Sequence, residues 1–111
     1  MKLYTSITRN NKFRQMYKSG KNVTDPVVVI YTMKNHGQGV RIGITASKRI
    51  GGAVKRNRAK RVIKAAIVNV LKKHRLNDID IILVARVKTT TVKSQQVERA
   101  LTYHLKSMVG F

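Results

Sequence analysis

From Ala59 onward the apolar residues Val62, Ile63, Ala66, Ile67, Val70 and Leu71 follow at spacings of 3, 1, 3, 1, 3 and 1, which only an α-helix brings onto one face. The pattern predicts a helix over about residues 57–74, with a polar side turned outward and a stripe that needs an apolar surface to lie on. Neighbouring segments supply that surface. Val27 to Met33 and Val40 to Thr45 are β-branched and apolar, predicting two strands joined as a hairpin through Asn35-His36-Gly37-Gln38-Gly39. The near-continuous apolar run from Ile79 to Val87 predicts a strand buried on both faces. Ahead of the strands, Phe13, Met16 and Tyr17 at i, i+3 and i+4 predict a short first helix, capped by Thr8 or Asn10 and ended by Gly20. Ser94 is placed to cap a last helix with the stripe Val97, Ala100, Leu101, Leu105 and Met108, and Gly110 lies beyond its end. The expected order is helix, strand, strand, a further strand if the chain forms one, helix, strand, helix. This is a single α+β domain over residues 1–111, an α/β sandwich with helices on a central mixed sheet.

Charge decides what such a domain can bind. Lys and Arg number 24 against four carboxylates, Asp25, Asp78, Asp80 and Glu98, giving +20. A charge of about 2 to 8 already keeps a small domain dispersed, so the excess points to a polyanionic partner. The cations are also segregated: residues 26–77 hold 13 Lys and Arg and no acid. There is no Cys, hence no disulfide framework, thiolate nucleophile or Cys-based zinc finger. The longest apolar runs, Val27 to Tyr31 and Ile81 to Ala85, are far below the roughly 20 residues of a membrane-spanning helix. Met1 to Gly20 lacks the apolar stretch of a signal peptide, so the expected compartment is the cytoplasm, without a membrane partner.

The densest cationic stretch, Ser47-Lys48-Arg49-Ile50-Gly51-Gly52-Ala53-Val54-Lys55-Arg56-Asn57-Arg58-Ala59-Lys60-Arg61, runs through two glycines into the long helix. A helix N-terminus carries about half a positive charge, so cations there are unfavourable by roughly 0.3 to 1 kcal/mol each. Arg56 and Arg58 are misplaced for an isolated protein, whereas a bound phosphate would meet backbone N–H groups, dipole and guanidinium forks together. Asn57, Lys60, Arg61 and Lys64 lie opposite the apolar stripe and form an outward row. A solvated basic face is the plainer reading of such a row; the missing acids and the unfavourable helix end argue for a nucleic-acid surface.

The segment from Gly43 to Arg61 resembles the signature of the bacterial ribonuclease P protein subunit family, a G-x-A-V turn followed by R-N-R-x-K-R. Phe13 and Tyr17 are similar to the family's first-helix aromatics, Tyr31 to the aromatic of its V-x-Y-T strand, and Ile79 to Arg86 to its apolar strand ending in A-R. The resemblance implies the small partner of a catalytic RNA that removes the 5′ leader from precursor tRNA. The RNA would perform the hydrolysis with Mg²⁺ held mainly by RNA and substrate, and no obligate protein partner is implied. It further implies a left-handed βαβ crossover through the motif helix, against the general right-handed rule. Carried over by position, Lys48, Arg49, Arg56, Asn57, Arg58, Lys60, Arg61 and Lys64 would face the catalytic RNA. Phe13, Tyr17 and Tyr31, with Lys12 and Arg14, would line a cleft for the single-stranded leader. Ser6, Lys12 and Lys64 depart from the family's usual residues, and Lys64 offers charge without a bidentate fork.

Taken alone, Phe13 and Tyr17 read as core, and the resemblance moves them to a binding role. Stacking on aromatics in a basic groove contributes about 1 to 3 kcal/mol per base. No catalytic residue is expected in the protein itself. Asp78 and Asp80, two apart at a strand boundary, read as edge solvation, and neither His36 nor His104 has an evident carboxylate partner. A ribosomal protein or RNA chaperone explains the charge equally well, but would not alter the metal dependence of precursor-tRNA cleavage. A sequence-specific DNA reader is weaker, because only Asn57 in the row suits base-edge pairing.

Overall fold

The computed structural model describes residues 3–111. Five strands and three helices follow in the order β1 (Thr5–Ser6), α1 (Asn10–Ser19), β2 (Lys21–Thr24), β3 (Val28–Lys34), β4 (Val40–Thr45), α2 (Ala53–Lys73), β5 (Ile79–Ala85) and α3 (Ser94–Val109). Single 3-10 turns stand at Lys48–Ile50 and Val87–Thr90. The strands form one mixed sheet in the order β1-β4-β5-β3-β2. The α+β class and the helix order agree with the sequence reading; the short β1 and the edge strand β2, which precedes the first expected strand, are additions to it, and no further strand follows β4 before α2.

The expected hairpin between β3 and β4 does not form. β5 lies between them, antiparallel to β3 and parallel to β4, and α2 carries the chain from β4 to β5. With its five consecutive buried residues from Ile79 to Leu83, β5 gains more at the sheet centre than at an edge. The loop 35–39 therefore crosses the start of β5, bonded to it through Asn35 Nδ2 to Asp80 Oδ1 (2.8 Å) and Gly39 N to Asp78 Oδ1 (3.0 Å). The strand also ends at Ala85, and Val87 is exposed rather than buried.

Side chains alternate across the sheet, so the two faces have separate cores. Val28, Ile30, Ile42, Ile81 and Leu83 meet Ala59, Ile63, Ala66, Ile67 and Val70 of α2 and Val97, Leu101 and Leu105 of α3. On the other face Ile82, with Ile7, Tyr31, Met33 and Val84, packs against Met16 and Phe13 of α1 alone. One short helix cannot cover five strands, so this second face stays partly open. α2 begins four residues earlier than its periodicity suggested, with Gly52 as N-cap and no side-chain cap. Neither Thr8 nor Asn10 caps α1, where Arg9 holds the N-cap, and Lys93 rather than Ser94 is the N-cap of α3, its N–H donating to Gln96 Oε1 (3.2 Å).

Candidate nucleic-acid interface

The basic motif is built on a rigid support. Ile50 is buried and anchors the turn Lys48–Ile50, leaving Lys48 and Arg49 exposed. Gly51 follows at φ 139°, a conformation that favours glycine, and the Lys55 side chain lies where a Cβ would stand. The chain thereby turns directly into α2, whose first turn has neither a capping side chain nor an acid. Asn57, Lys60, Arg61 and Lys64 are all exposed, Arg56 is half-buried, and Ala59 and Ile63 between them are buried. The row expected from the periodicity is thus present on one side of α2. It includes a shallow hollow of about 510 Å³ lined by Val54, Asn57, Lys60 and Arg61. Val54, 81% exposed, is an apolar member that charge counting passed over.

Arg58 is exposed but partly engaged, its Nε donating to the Thr90 carbonyl at 3.1 Å. It ties the start of α2 to the turn Val87–Thr90. That turn packs beside Lys48–Ile50, because the parallel strands β4 and β5 end side by side at Thr45 and Val84. Lys88 and the backbone of Arg86 consequently come beside the basic surface, while the exposed Arg86 side chain reaches the turn after β2, its Nη1 donating to the Asp25 carbonyl at 3.1 Å; this placement depends on strand order and has no signal in local spacing.

The aromatic group lies on the other face of the sheet. Phe13 packs on Gly43, where a Cβ would come within 2.8 Å of its ring, so β4 is notched to seat it. The Phe13 and Tyr17 ring centroids are 6.2 Å apart, and Tyr17 meets Tyr31 edge-on at 5.0 Å. Phe13 and Tyr31 are half-buried while Tyr17 is 41% exposed, which makes the three a patch of continuous aromatic surface. Burial, with a smaller contribution from neighbouring Tyr31, pushes the Tyr17 hydroxyl above its ordinary pKa, keeping it a neutral donor. Arg14 is exposed on α1.

Lys12, next to Phe13 on α1, is engaged within the protein. Its Nζ is 2.7 Å from Asp80 Oδ2, and Asp80 is completely buried, also accepting from Arg41 Nε (2.7 Å), Arg41 Nη2 (2.8 Å) and Asn35 Nδ2 (2.8 Å). Burial pushes the Asp80 carboxyl up, but the bonds from Arg41, Asn35 and Lys12 outweigh it and hold the pKa at about 2. Asp80 is therefore an interior ion-pair centre and not the edge-solvating carboxylate expected. Lys12 acts within the protein as the tie between α1 and the sheet. His104, expected to lack a carboxylate, has Asp25 Oδ2 2.8 Å from its Nε2. Both differences arise from partners distant in sequence. Among the described residues no three His, Cys, Asp or Glu side chains stand together as a metal-ligand group.

Comparison with known proteins agrees with this architecture. The family profile Ribonuclease P matches residues 1–109. The ribonuclease P protein component of Macrococcus caseolyticus is 35% identical over 108 residues, covering 95% of this chain and 90% of that protein. The solved ribonuclease P protein of Staphylococcus aureus superposes with a TM-score of 0.79 at 33% identity, covering 96% of each chain. That of Thermotoga maritima gives 0.80 at 25% identity, covering 95% of this chain and 98% of the other. A basic motif helix, an aromatic patch on the opposite sheet face and relatives matching nearly end to end lead to one conclusion: the chain belongs to the ribonuclease P protein family.

Proposed function

We propose that the chain is the protein subunit of a bacterial ribonuclease P, assisting a catalytic RNA in removing the 5′ leader from precursor tRNA in the cytoplasm. The observation that carries this reading is a segregated basic surface on α2 in a chain matched over residues 1–109 by its family. Lys48, Arg49, Arg56, Asn57, Arg58, Lys60, Arg61 and Lys64 contact the catalytic RNA, with Arg86 and Lys88 extending that surface. Phe13, Tyr17 and Tyr31 stack leader bases, with Arg14 beside them for phosphate. Hydrolysis belongs to the RNA, whose Mg²⁺ is held by RNA and substrate. No helix is long and apolar enough to cross a membrane among the described residues.

The protein's part is electrostatic and geometric. Its cations neutralise phosphate repulsion between two RNAs, lowering the Mg²⁺ that folding and docking require. Adding the protein to a bacterial ribonuclease P RNA at low Mg²⁺ should restore leader removal; no stimulation at any Mg²⁺ concentration would reject the assignment.

Two surfaces predict two phenotypes. Arg61→Ala should weaken assembly with the RNA by about 1.5 to 3 kcal/mol, the worth of a charge-assisted contact, without changing the melting temperature. Arg58→Ala should weaken assembly too, and also lower stability by about 1 kcal/mol because the Thr90 carbonyl loses its donor. Gel-shift titration and thermal melts of both variants separate the two effects.

Tyr17→Leu or Tyr31→Leu should instead reduce the preference of the holoenzyme for precursor over mature tRNA by about 1 to 3 kcal/mol per lost stack. A base loses its aromatic partner only where a leader base is present. Binding of both tRNAs to wild-type and variant holoenzyme tests this, with circular dichroism to establish folding; equal losses for both ligands would assign the aromatics to the core.

A further inference from the structure

α3 packs on the sheet face opposite the aromatic patch and turns one unusual residue outward. Tyr103 is 75% exposed, the most exposed aromatic among the described residues. Its ring stands edge-on to His104 at 5.1 Å and 81°, and His104 is in turn held by Asp25. Arg99 and Lys106, four residues before and three after, share its side of the helix, are exposed, and form no ion pair among the described residues. Both acids nearby are already engaged. Glu98 accepts from Lys73 Nζ (2.7 Å) and Asn69 Nδ2 (3.2 Å), and Asp25 pairs with His104. What remains is an exposed ring between two unpaired cations, beside a hollow of about 670 Å³ whose far wall is Val23 of β2.

β2 makes this surface continuous with the aromatic patch. It is the edge strand, and Tyr31 lies on the adjacent strand, paired with Asn22. Asn22 and Thr24 share the face of Tyr31, whereas Lys21 and Val23, paired with Thr32 and Ile30, share the face of α3. A nucleic-acid strand leaving Tyr31 therefore reaches the Tyr103 hollow by rounding the single edge strand β2 from one sheet face to the other, with exposed Lys21 on the α3 side. Self-association is disfavoured by the +20 charge, which would set two such surfaces against each other.

We infer that the Arg99, Tyr103 and Lys106 face of α3 binds unpaired nucleotides of the precursor leader upstream of those at the α1 aromatic patch. The inference rests on the proposed leader-binding role of that patch. Tyr103 supplies a sequence-tolerant stack, and Arg99 and Lys106 the phosphate charge.

The test uses holoenzyme with three ligands: mature tRNA, a precursor whose leader only spans the α1 patch, and one whose leader is extended by several unpaired nucleotides. Tyr103→Leu should raise the Kd of the long-leader precursor about five- to tenfold and leave the other two unchanged, while Tyr103→Phe should behave as wild type. Arg99→Gln should act in the same direction, with a reduced salt dependence. Tyr17→Leu, run in parallel, should weaken both precursors; its failure would reject the α1 patch while the long-minus-short difference at Tyr103 is still measured. Equal losses at Tyr103 for all three ligands would place the face on the catalytic RNA or tRNA body and overturn the inference. So would unchanged binding throughout, the result expected if the face serves an acidic protein instead.

Discussion

Affinity for the ribonuclease P RNA should fall by about 10³- to 10⁵-fold between about 50 and 200 mM monovalent salt. Each phosphate met by a Lys or Arg releases condensed counterions, and roughly 6 to 10 such contacts give that steepness. The motif surface has the cations for it: Lys48, Arg49, Lys60, Arg61 and Lys64 are exposed around half-buried Arg56, and Arg86 and Lys88 adjoin them. None of these exposed Lys and Arg side chains forms an ion pair among the described residues, and of them Arg86 alone is hydrogen-bonded within the protein, its Nη1 donating to the Asp25 carbonyl, so little internal attraction is given up on binding. Filter binding across a salt series measures the slope; a Kd that hardly moved with salt would mean that base or shape contacts dominate. Replacing Lys60 and Arg61 together by Gln should flatten the slope by about 2, one unit per lost phosphate contact.

Asp80→Asn should destabilise the fold by about 3 kcal/mol and lower the melting temperature by roughly 10 °C. The carboxylate is buried and receives two bonds from Arg41, one from Asn35 and one from Lys12. Removing its charge strands two cations that are themselves 31% and 22% exposed. The same group sets an acid limit. Its folded pKa, about 2, lies below the ordinary 3.8. Its stabilisation is therefore complete above the unfolded value and is lost as pH falls from about 4 through about 2, amounting to about 2 kcal/mol. Asp25 adds in the same direction: burial raises its pKa, but the Val27 N–H and His104 bonds bring it below the usual range. Urea unfolding of wild type and variant between neutral pH and pH 2 reads both effects. Wild type should lose stability across that window and the Asn variant should lose less; superimposable curves would remove Asp80 from the account. The variant should also discriminate leaders less well, because Lys12 fixes α1 and thereby the seating of Phe13 on Gly43.

Local pattern determined much of this protein. The stripe from Ala59 to Leu71 placed α2 and its outward row, because helical periodicity is a property of adjacent residues and needs no knowledge of the partner surface. The excess and segregation of charge pointed to a polyanion, and the G-x-A-V to R-N-R-x-K-R order pointed to the family, again from contiguous residues. Tertiary structure decided what depends on which strands meet. β-branched runs separated by a glycine-rich loop are compatible with a hairpin or with a third strand between them, and the burial available to Ile79–Leu83 settled that choice in favour of β5. From that insertion follow the burial of Asp80 between Arg41 and Met33, the engagement of Lys12, and the arrival of Arg86 and Lys88 beside the motif. Partners such as Lys12 with Asp80 or Asp25 with His104 are 68 and 79 residues apart. Separations of that size leave no trace in local spacing, since ion pairing acts through distance in space, which only the folded chain defines.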